Sequence, residues 1–126
     1  MNPPVSWQAE LLTLVNGVRS QAGAKPLCYN AKLNAASQAQ SDSGIYGHTW
    51  DYVNQQGYSW SALGQNIAKG QTSVQQVFHA WFDELPPNDG HRKNILSPSF
   101  NQMGAGWTTS SNMWTQNFGA SSEPCL

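Results

Sequence analysis

The chain has 126 residues, a length that suits a single domain, and it carries a formal net charge of −1 with only 10% of its residues charged. Its six Lys and Arg residues are too few to form a basic surface for nucleic acid or an anionic membrane. No apolar run approaches the ~20 residues of a transmembrane helix, and six Trp, four Tyr and four Phe residues provide large apolar side chains for a folded core.

The first third of the chain predicts two helices. Ser6 is a candidate N-cap, and the apolar residues behind it recur at helical spacing as far as Gly23, which predicts a helix over residues 7–22. Asn30 is the candidate N-cap of a second helix that ends at Gly44. Its small residues would allow close packing.

The middle of the chain is predicted to be irregular over residues 44–72, apart from one short helix over 51–56. A long segment without clear periodicity is usually functional or tightly held. A strongly amphipathic helix then runs over residues 73–85, and Pro86 and Pro87 terminate it.

The last third predicts one helical turn over residues 91–96 and a hairpin of two strands over 102–108 and 113–118. Helices followed by a hairpin indicate an α+β fold, in which helices pack on a small antiparallel sheet. We expect one domain over residues 6–126, preceded by a disordered or expression-related segment over residues 1–5.

The two cysteines, Cys28 and Cys125, lie far apart in the sequence. In a secreted protein they would form one disulfide that closes a long loop, whereas in a cytosolic protein they would be two unrelated thiols. A lone pair fits no common zinc spacing. The few charges and many Ser, Asn, Gln and aromatic residues favour a secreted, extracellular domain, and we expect the tail after the last strand to be held only by its cysteine.

Three histidines and one carboxylate are candidates for chemistry. His79 is expected to be an ordinary exposed helix residue, whereas His48 and His91 lie in glycine-flanked, non-periodic segments that suit ligand binding as well as a structural role. Glu84 is predicted near a helix C-terminus, where the helix dipole disfavours a carboxylate that lacks a partner. Two imidazoles and a carboxylate suffice for an open zinc-type site, or equally for a hydrogen-bonded network without metal.

Seven blocks of the sequence resemble, in the same order, the CAP superfamily of cysteine-rich secretory, antigen 5 and pathogenesis-related class 1 proteins, also called SCP-domain proteins. The blocks are residues 14–19, 33–40, 47–48, 63–68, 81–84, 90–98 and 114–118. One block alone is a weak signal, but the ordered set covers nearly the whole chain. The block that contains His91 resembles the form of bacterial members.

The resemblance implies an α–β–α sandwich with a central cleft, in which two His and two Glu residues lie and the two His can bind a divalent metal, often zinc. Carried over by position, His48 and His91 would be the metal ligands and Glu84 the second glutamate. Gln65 stands where the family has its first glutamate. An amide offers neither a base nor a negative charge, so we expect weaker metal binding, and a Gln65→Glu substitution should tighten it.

Two functions compete. The favoured one is a secreted binding or effector module for a lipid, a glycan or a protein partner, which we expect to be monomeric and to contain one Cys28–Cys125 disulfide. The alternative is a zinc-dependent hydrolase of peptide or cell-wall bonds, with Glu84 as general base. A Glu84 that fixes an imidazole, rather than contacting a metal-bound water, favours the binding module.

Two further expectations concern apolar surfaces. A third role, as a structural or signalling surface with an inert cleft, would require an exposed apolar patch away from the cleft. Trp50, Tyr58 and Trp60 could present flat faces to a ligand or pack in the core. The 85–90 segment is short and has no aromatic residue, unlike the longer loop of sterol-binding fungal members, so sterol binding is not expected.

Overall fold

A four-stranded sheet forms the centre of the computed structural model, which describes residues 5–126. The strands are β1 (Cys28–Tyr29), β2 (Ala62–Lys69), β3 (Gln102–Thr108) and β4 (Met113–Ala120). Their order in the sheet is β1-β3-β4-β2. The β2–β4 and β4–β3 pairs are antiparallel, and the two-residue β1 joins β3 in parallel. The long strand β2 is therefore an edge strand of the described sheet.

Helices cover both faces of the sheet. They are α1 (Ser6–Gln21), α2 (Ala31–Ser43), α3 (Asp51–Gln55), α4 (Val74–Phe82) and α5 (Gly90–Leu96). The smaller core cluster, which includes Leu33 and Val53, lies under α2 and α3, and the larger one, which includes Leu11, Trp81 and Ile95, lies under α1, α4 and α5. Two separate cores on the two faces confirm the predicted α–β–α sandwich.

Two glycines of β3 allow α2 to lie directly against the sheet. A Cβ atom built on Gly104 would overlap the backbone of Leu33, and one built on Gly106 would overlap the backbone of Ser37. The sequence therefore places α2 at backbone contact distance from the central strands. This close contact brings the side chains of α2 within reach of those on β2 and β4.

The predicted helix boundaries hold to within a few residues. Helix α1 begins at Ser6, one residue before the predicted start, because its N-cap is Val5, whose backbone N–H donates to Gln8 Oε1 at 3.1 Å. Asn30 caps α2 as predicted, and its side chain accepts from two backbone N–H groups. Of the predicted N-terminal segment, only Val5 belongs to the described residues, and residues 1–4 lie outside them.

The prediction of an irregular segment over 44–72 is wrong for β2. The strand gives no alternating hydrophobic signal, because Gln65 and Asn66 are both buried, at 4% and 0% exposure, and point to opposite faces with hydrogen-bonded amides. Helix α4 ends at Phe82, so Glu84 lies in the turn after the helix, not within its last turn. Glu84 still lies directly after the C-terminal end of the helix, and it has the partner that the helix-dipole argument requires, because both its oxygens contact His91.

The expectation that only its cysteine holds the C-terminal tail is also wrong. Cys28 and Cys125 form the disulfide, but Glu123 also pairs with Lys32 Nζ at 2.7 Å and accepts from the backbone N–H of Ser59. The hydrogen bond from Lys32 and then that from Ser59 lower the pKa of the Glu123 carboxyl below its usual value. The tail is thus fastened to α2 and to the loop before β2.

A buried arginine fastens the end of α5 to α1. Arg19 has no exposed surface, and it donates to the carbonyls of Lys25, Ile95 and Ser97 at 2.8, 2.9 and 2.8 Å. Burial lowers the pKa of its guanidinium, which stays charged at physiological pH because an arginine pKa lies far above it. These bonds fix the chain that follows α5.

Within residues 5–126, no helix combines the length and apolar character needed to span a bilayer.

Candidate functional site

An open cleft of ≈ 400 Å³ lies at the outer edge of β2 and contains the four residues predicted for the site. His48 comes from the loop between α2 and α3, Gln65 from β2, Glu84 from the turn after α4, and His91 from α5. The cleft is lined by His48, Gln65, Glu84, Asn88, Gly90, His91 and Asn94. The edge strand therefore joins a wall from the α2–α3 layer to a wall from the α4–α5 layer.

Both carboxylate oxygens of Glu84 contact His91. Oε2 lies 2.6 Å from Nδ1 of the imidazole, and Oε1 accepts the backbone N–H of the same residue at 3.0 Å. Because an ionised carboxylate can only accept hydrogen bonds, Nδ1 carries the proton. Asn66 holds the backbone carbonyl of His91 through its Nδ2 at 3.2 Å. His91 is thus fixed in one tautomer, with Nε2 unprotonated when the ring is neutral.

His48 has a neutral partner. Its Nδ1 lies 2.9 Å from Gln65 Oε1, and the orientation of that amide is set by its other contacts. Gln65 Nε2 faces the backbone carbonyl of Thr49 at 3.2 Å and Asn117 Oδ1 at 2.7 Å. Because a backbone carbonyl can only accept, the nitrogen must face Thr49 and the oxygen must face His48. His48 Nδ1 is therefore also the protonated nitrogen of its neutral ring.

Gln65 belongs to a buried amide network made by Gln40, Gln65 and Asn117. Gln40 and Gln65 exchange two hydrogen bonds of 3.1 and 2.9 Å, and Gln40 also donates to the carbonyl of Gly47 at 3.0 Å. Asn117 donates to Ser37 Oγ at 3.0 Å. All three amides are at most 4% exposed. The network is uncharged, and its donors and acceptors match a glutamine at position 65, not a glutamate.

Apart from Gln65, which was predicted for the cleft, the amide residues on β2, β4 and α2 are the part of the site that sequence reasoning missed. In the sheet register Gln65 faces Asn117 and Asn66 faces Gln116. Asn94 of α5 donates to Asn66 Oδ1 at 3.0 Å and to the backbone carbonyl of Gln65 at 3.2 Å. A run of amides inside a segment without apolar periodicity is the sequence signal that could have indicated this network.

The chemistry available for a metal ion is limited to two nitrogens. Over residues 5–126, no group of three or more His, Cys, Asp or Glu side chains is arranged to hold a metal. His48 and His91 each use Nδ1 in a hydrogen bond, which leaves Nε2 as the donor atom of each ring. Metal-binding histidines commonly show this pattern, with Nδ1–H donated to a carboxylate or another oxygen. The two Nε2 atoms are therefore the ring nitrogens that would be available to a divalent metal in this cleft.

Comparison with known proteins places the chain in a family. The family described as "CAP: Cysteine-rich secretory protein family" matches residues 12–118. The protein YkwD of Bacillus subtilis (strain 168) is 34% identical over an alignment of 124 positions, and the alignment covers 90% of this chain and 47% of YkwD. The chain thus spans about half the length of this curated relative.

Solved structures show the same fold. An extracellular protein containing an SCP domain from Bacillus anthracis str. Ames superposes with a TM-score of 0.80 at 20% identity, covering 96% of this chain and 45% of that one. The structure of NaASP2 with Zn²⁺ gives a TM-score of 0.76 at 16% identity, covering 94% of this chain and 84% of that one. The family match and the fold agree: the chain belongs to the CAP family of cysteine-rich secretory proteins.

Proposed function

We propose that this protein is an extracellular binding module whose ligand occupies the cleft between His48 and His91, where the two imidazoles also hold a divalent metal ion. The observation that carries the proposal is the double contact of Glu84 with His91. This contact fixes the imidazole tautomer that suits a metal, and at the same time it occupies both oxygens of the cleft's only glutamate.

The extracellular location is supported by two observations. The disulfide between Cys28 and Cys125 is of a kind that persists in oxidising surroundings. The structurally similar protein of Bacillus anthracis is described as extracellular.

Each cleft residue has a defined part in metal binding. His48 and His91 would hold the ion through Nε2, and Glu84 would fix the direction of the His91 ring through Nδ1. Gln65 fixes the His48 ring without adding negative charge, so one carboxylate balances the cation. A bound divalent metal would supply a Lewis acid for the oxygen atoms of a ligand.

Binding is better supported than hydrolysis. A general base must reach the proton it removes, but the Glu84 oxygens lie 2.6 and 3.0 Å from two nitrogens of His91. At the position of the family's other glutamate, Gln65 cannot act as a base. The candidate ligands are a lipid, a glycan or an extracellular protein segment.

Calorimetric titration with zinc chloride tests the metal site. We expect micromolar or tighter binding to the wild-type protein and its loss in both His48→Ala and His91→Ala. The matched control is His79→Ala, because His79 is an exposed histidine on α4 that contacts Asp83 and lies outside the cleft. Zinc affinity that is unchanged in both cleft variants would contradict the proposal.

A hydrolase screen with zinc, peptide substrates and cell-wall fragments tests the alternative. We expect no turnover above that of free zinc. Zinc-dependent turnover that disappears in Glu84→Gln at a zinc concentration that saturates this variant would favour the hydrolase, because the variant keeps an oxygen acceptor for His91.

A further inference from the structure

A second cavity, of ≈ 280 Å³, lies beside the cleft and has no part in the proposed metal site. We call it the side pocket. The residues of its lining that matter here are Gln40, Ile45, Thr49, Asp51, Tyr52 and Gln55. They come from the C-terminal half of α2, from α3 and from the loop between these helices.

The side pocket and the cleft share one wall. Gly47 lines the side pocket and His48, the next residue, lines the cleft. Behind this wall, Gln40 lines the side pocket and forms the paired hydrogen bonds with Gln65, which lines the cleft. Because His48 is solvent-exposed, a chain-like ligand could cross the wall and occupy both cavities.

The linings of the two cavities select for a neutral, hydroxyl-bearing ligand. As described over residues 5–126, neither lining contains Lys or Arg, and each contains one carboxylate, Asp51 in the side pocket and Glu84 in the cleft. Phosphate and sulfate groups would therefore find no lysine or arginine in either lining, and no cation in the side pocket. Amide, hydroxyl and carboxylate groups such as those of Gln55, Thr49 and Asp51 can donate to and accept from hydroxyl groups.

Exposed apolar side chains surround the same region. Six large hydrophobic side chains are exposed over residues 5–126, and four of them lie within three positions of His48 or Glu84 in the sequence. The four are Ile45 (69% exposed), Tyr46 (60%), Trp50 (37%) and Leu85 (76%). Sugar rings combine an apolar face of C–H groups with an edge of hydroxyl groups, and aromatic side chains pack well against such faces. A lipid chain would require an enclosed apolar channel, whereas both cavities are open to solvent and their linings include amide, hydroxyl and carboxylate groups.

We propose that the side pocket is a sugar-binding subsite, which takes one ring of a neutral oligosaccharide whose chain crosses residues 47–49 into the cleft. The inference names a ligand class for the proposed binding module. It rests on that function only for the part of the ligand in the cleft, because the side pocket binds its sugar ring without a metal ion.

Amide-resolved NMR titration of the full chain tests the subsite. The probes are cellotetraose and tetra-N-acetylchitotetraose, each added with and without zinc. We expect saturable shifts in residues 47–55 with at least one probe, in both conditions. Asp51→Ala and Gln55→Ala should each weaken binding up to about tenfold, as expected for the loss of one hydrogen-bonding group. Both residues are exposed, so neither substitution disturbs the core.

Tyr52→Ala should abolish sugar binding, but Tyr52 also packs against the core cluster of Leu33 and Val53, so that variant is interpreted only if its spectrum stays folded. The control is Trp60→Ala, which removes an exposed aromatic residue outside both linings and should leave affinity unchanged.

The outcomes separate the two proposals. Sugar shifts at residues 47–55 that persist when zinc binding fails would support the subsite and contradict the metal site. Shifts confined to the cleft, or no shifts with either oligosaccharide, would overturn the subsite and leave the metal titration to decide the proposed function. Binding to phosphatidylglycerol vesicles or to a peptide, in place of either oligosaccharide, would also overturn it.

Discussion

His48 and His91 both direct Nδ1 to an oxygen acceptor, but the acceptor of His48 is a buried amide and that of His91 is a partly exposed carboxylate. We call His48 with Gln65 the amide half of the site. It depends on packing and hydrogen bonds among neutral groups, so salt should affect it little. We call His91 with Glu84 the carboxylate half of the site. It depends on a charge-assisted hydrogen bond, and salt weakens this bond because both side chains are partly exposed to water. Two similar imidazole orientations are therefore stabilised by different interactions. We expect changes in the buried amides to disturb His48, and salt or loss of the carboxylate charge to disturb His91.

Adding a methyl group at Gly104 should have the largest effect, because it separates α2 from the sheet and with it Gln40 from Gln65. We expect Gly104→Ala to lower the free energy of unfolding by about 3 kcal/mol or more, since the added Cβ overlaps the backbone of Leu33. Urea unfolding measures the change. The control is Gly17→Ala in α1, where the added Cβ has no atom within 4 Å beyond the nearby backbone of its own helix and a gain of about 0.5–1 kcal/mol is expected. Equal effects at the two glycines would contradict the close contact.

Gln65→Glu should break the amide half specifically. A carboxylate at position 65 would face the backbone carbonyl of Thr49 and Asn117 Oδ1, so we expect a loss of about 2 kcal/mol of stability at pH 7. The added charge is also expected to tighten zinc binding, so zinc affinity and the free energy of unfolding are both measured on this variant. The control is Gln55→Glu, which adds the same charge at an exposed position. Wild-type stability in Gln65→Glu would show that the amides reorient.

Glu84→Gln should weaken the carboxylate half with little loss of stability. The side chain is partly exposed, and an amide oxygen can still accept from His91. We expect zinc affinity to fall about tenfold, as is typical when the hydrogen-bond partner of a metal ligand is changed, and calorimetry measures the change. Because salt screens the charged pair, the difference between wild type and variant should shrink as the salt concentration rises. A difference that does not depend on salt would contradict this view.

Glu123 in the C-terminal tail provides the smallest effect and a reference outside the cleft. Its pKa is lowered by Lys32 and by the backbone of Ser59, so its contribution to stability is present above the unfolded-state pKa of about 4.3 and is lost as the pH falls through the lower folded-state value. Glu123→Gln should therefore be less stable than wild type at pH 7 and equal to it at about pH 2. Thermal unfolding at both pH values measures this, with the exposed Glu10→Gln as control. A difference that persists at low pH would mean that Glu123 acts through packing.

The helices and the positions of the cleft residues could be predicted from the sequence, for different reasons. The N-cap Asn30 and the helical spacing of apolar residues determine local structure through contacts a few residues apart. The grouping of His48 with His91 came from the order of family blocks, because no local pattern connects residues so far apart in the chain.

Strand β2 and the amide network could not be predicted because their stability depends on partners distant in sequence. Gln40 and Asn117 contact Gln65 although they lie 25 and 52 positions away from it in the sequence. Considered singly, a glutamine or an asparagine is typical of an exposed position. Their burial is favourable only when all the hydrogen bonds form together. Polar strands of this kind give no periodic signal, so the sequence pattern predicts an irregular segment where β2 forms.

Edge strands are the places where sheets of different molecules can join, since their outer backbone groups are free to pair with another chain. In this protein the outer side of β2 faces the cleft. There Asn94 donates a hydrogen bond to the backbone carbonyl of Gln65, and α5 packs beside the strand. The side chains of the candidate site therefore also cover part of the longest edge of the described sheet and hinder intermolecular pairing there. A substitution in the candidate site can therefore also uncover an edge at which two molecules could pair.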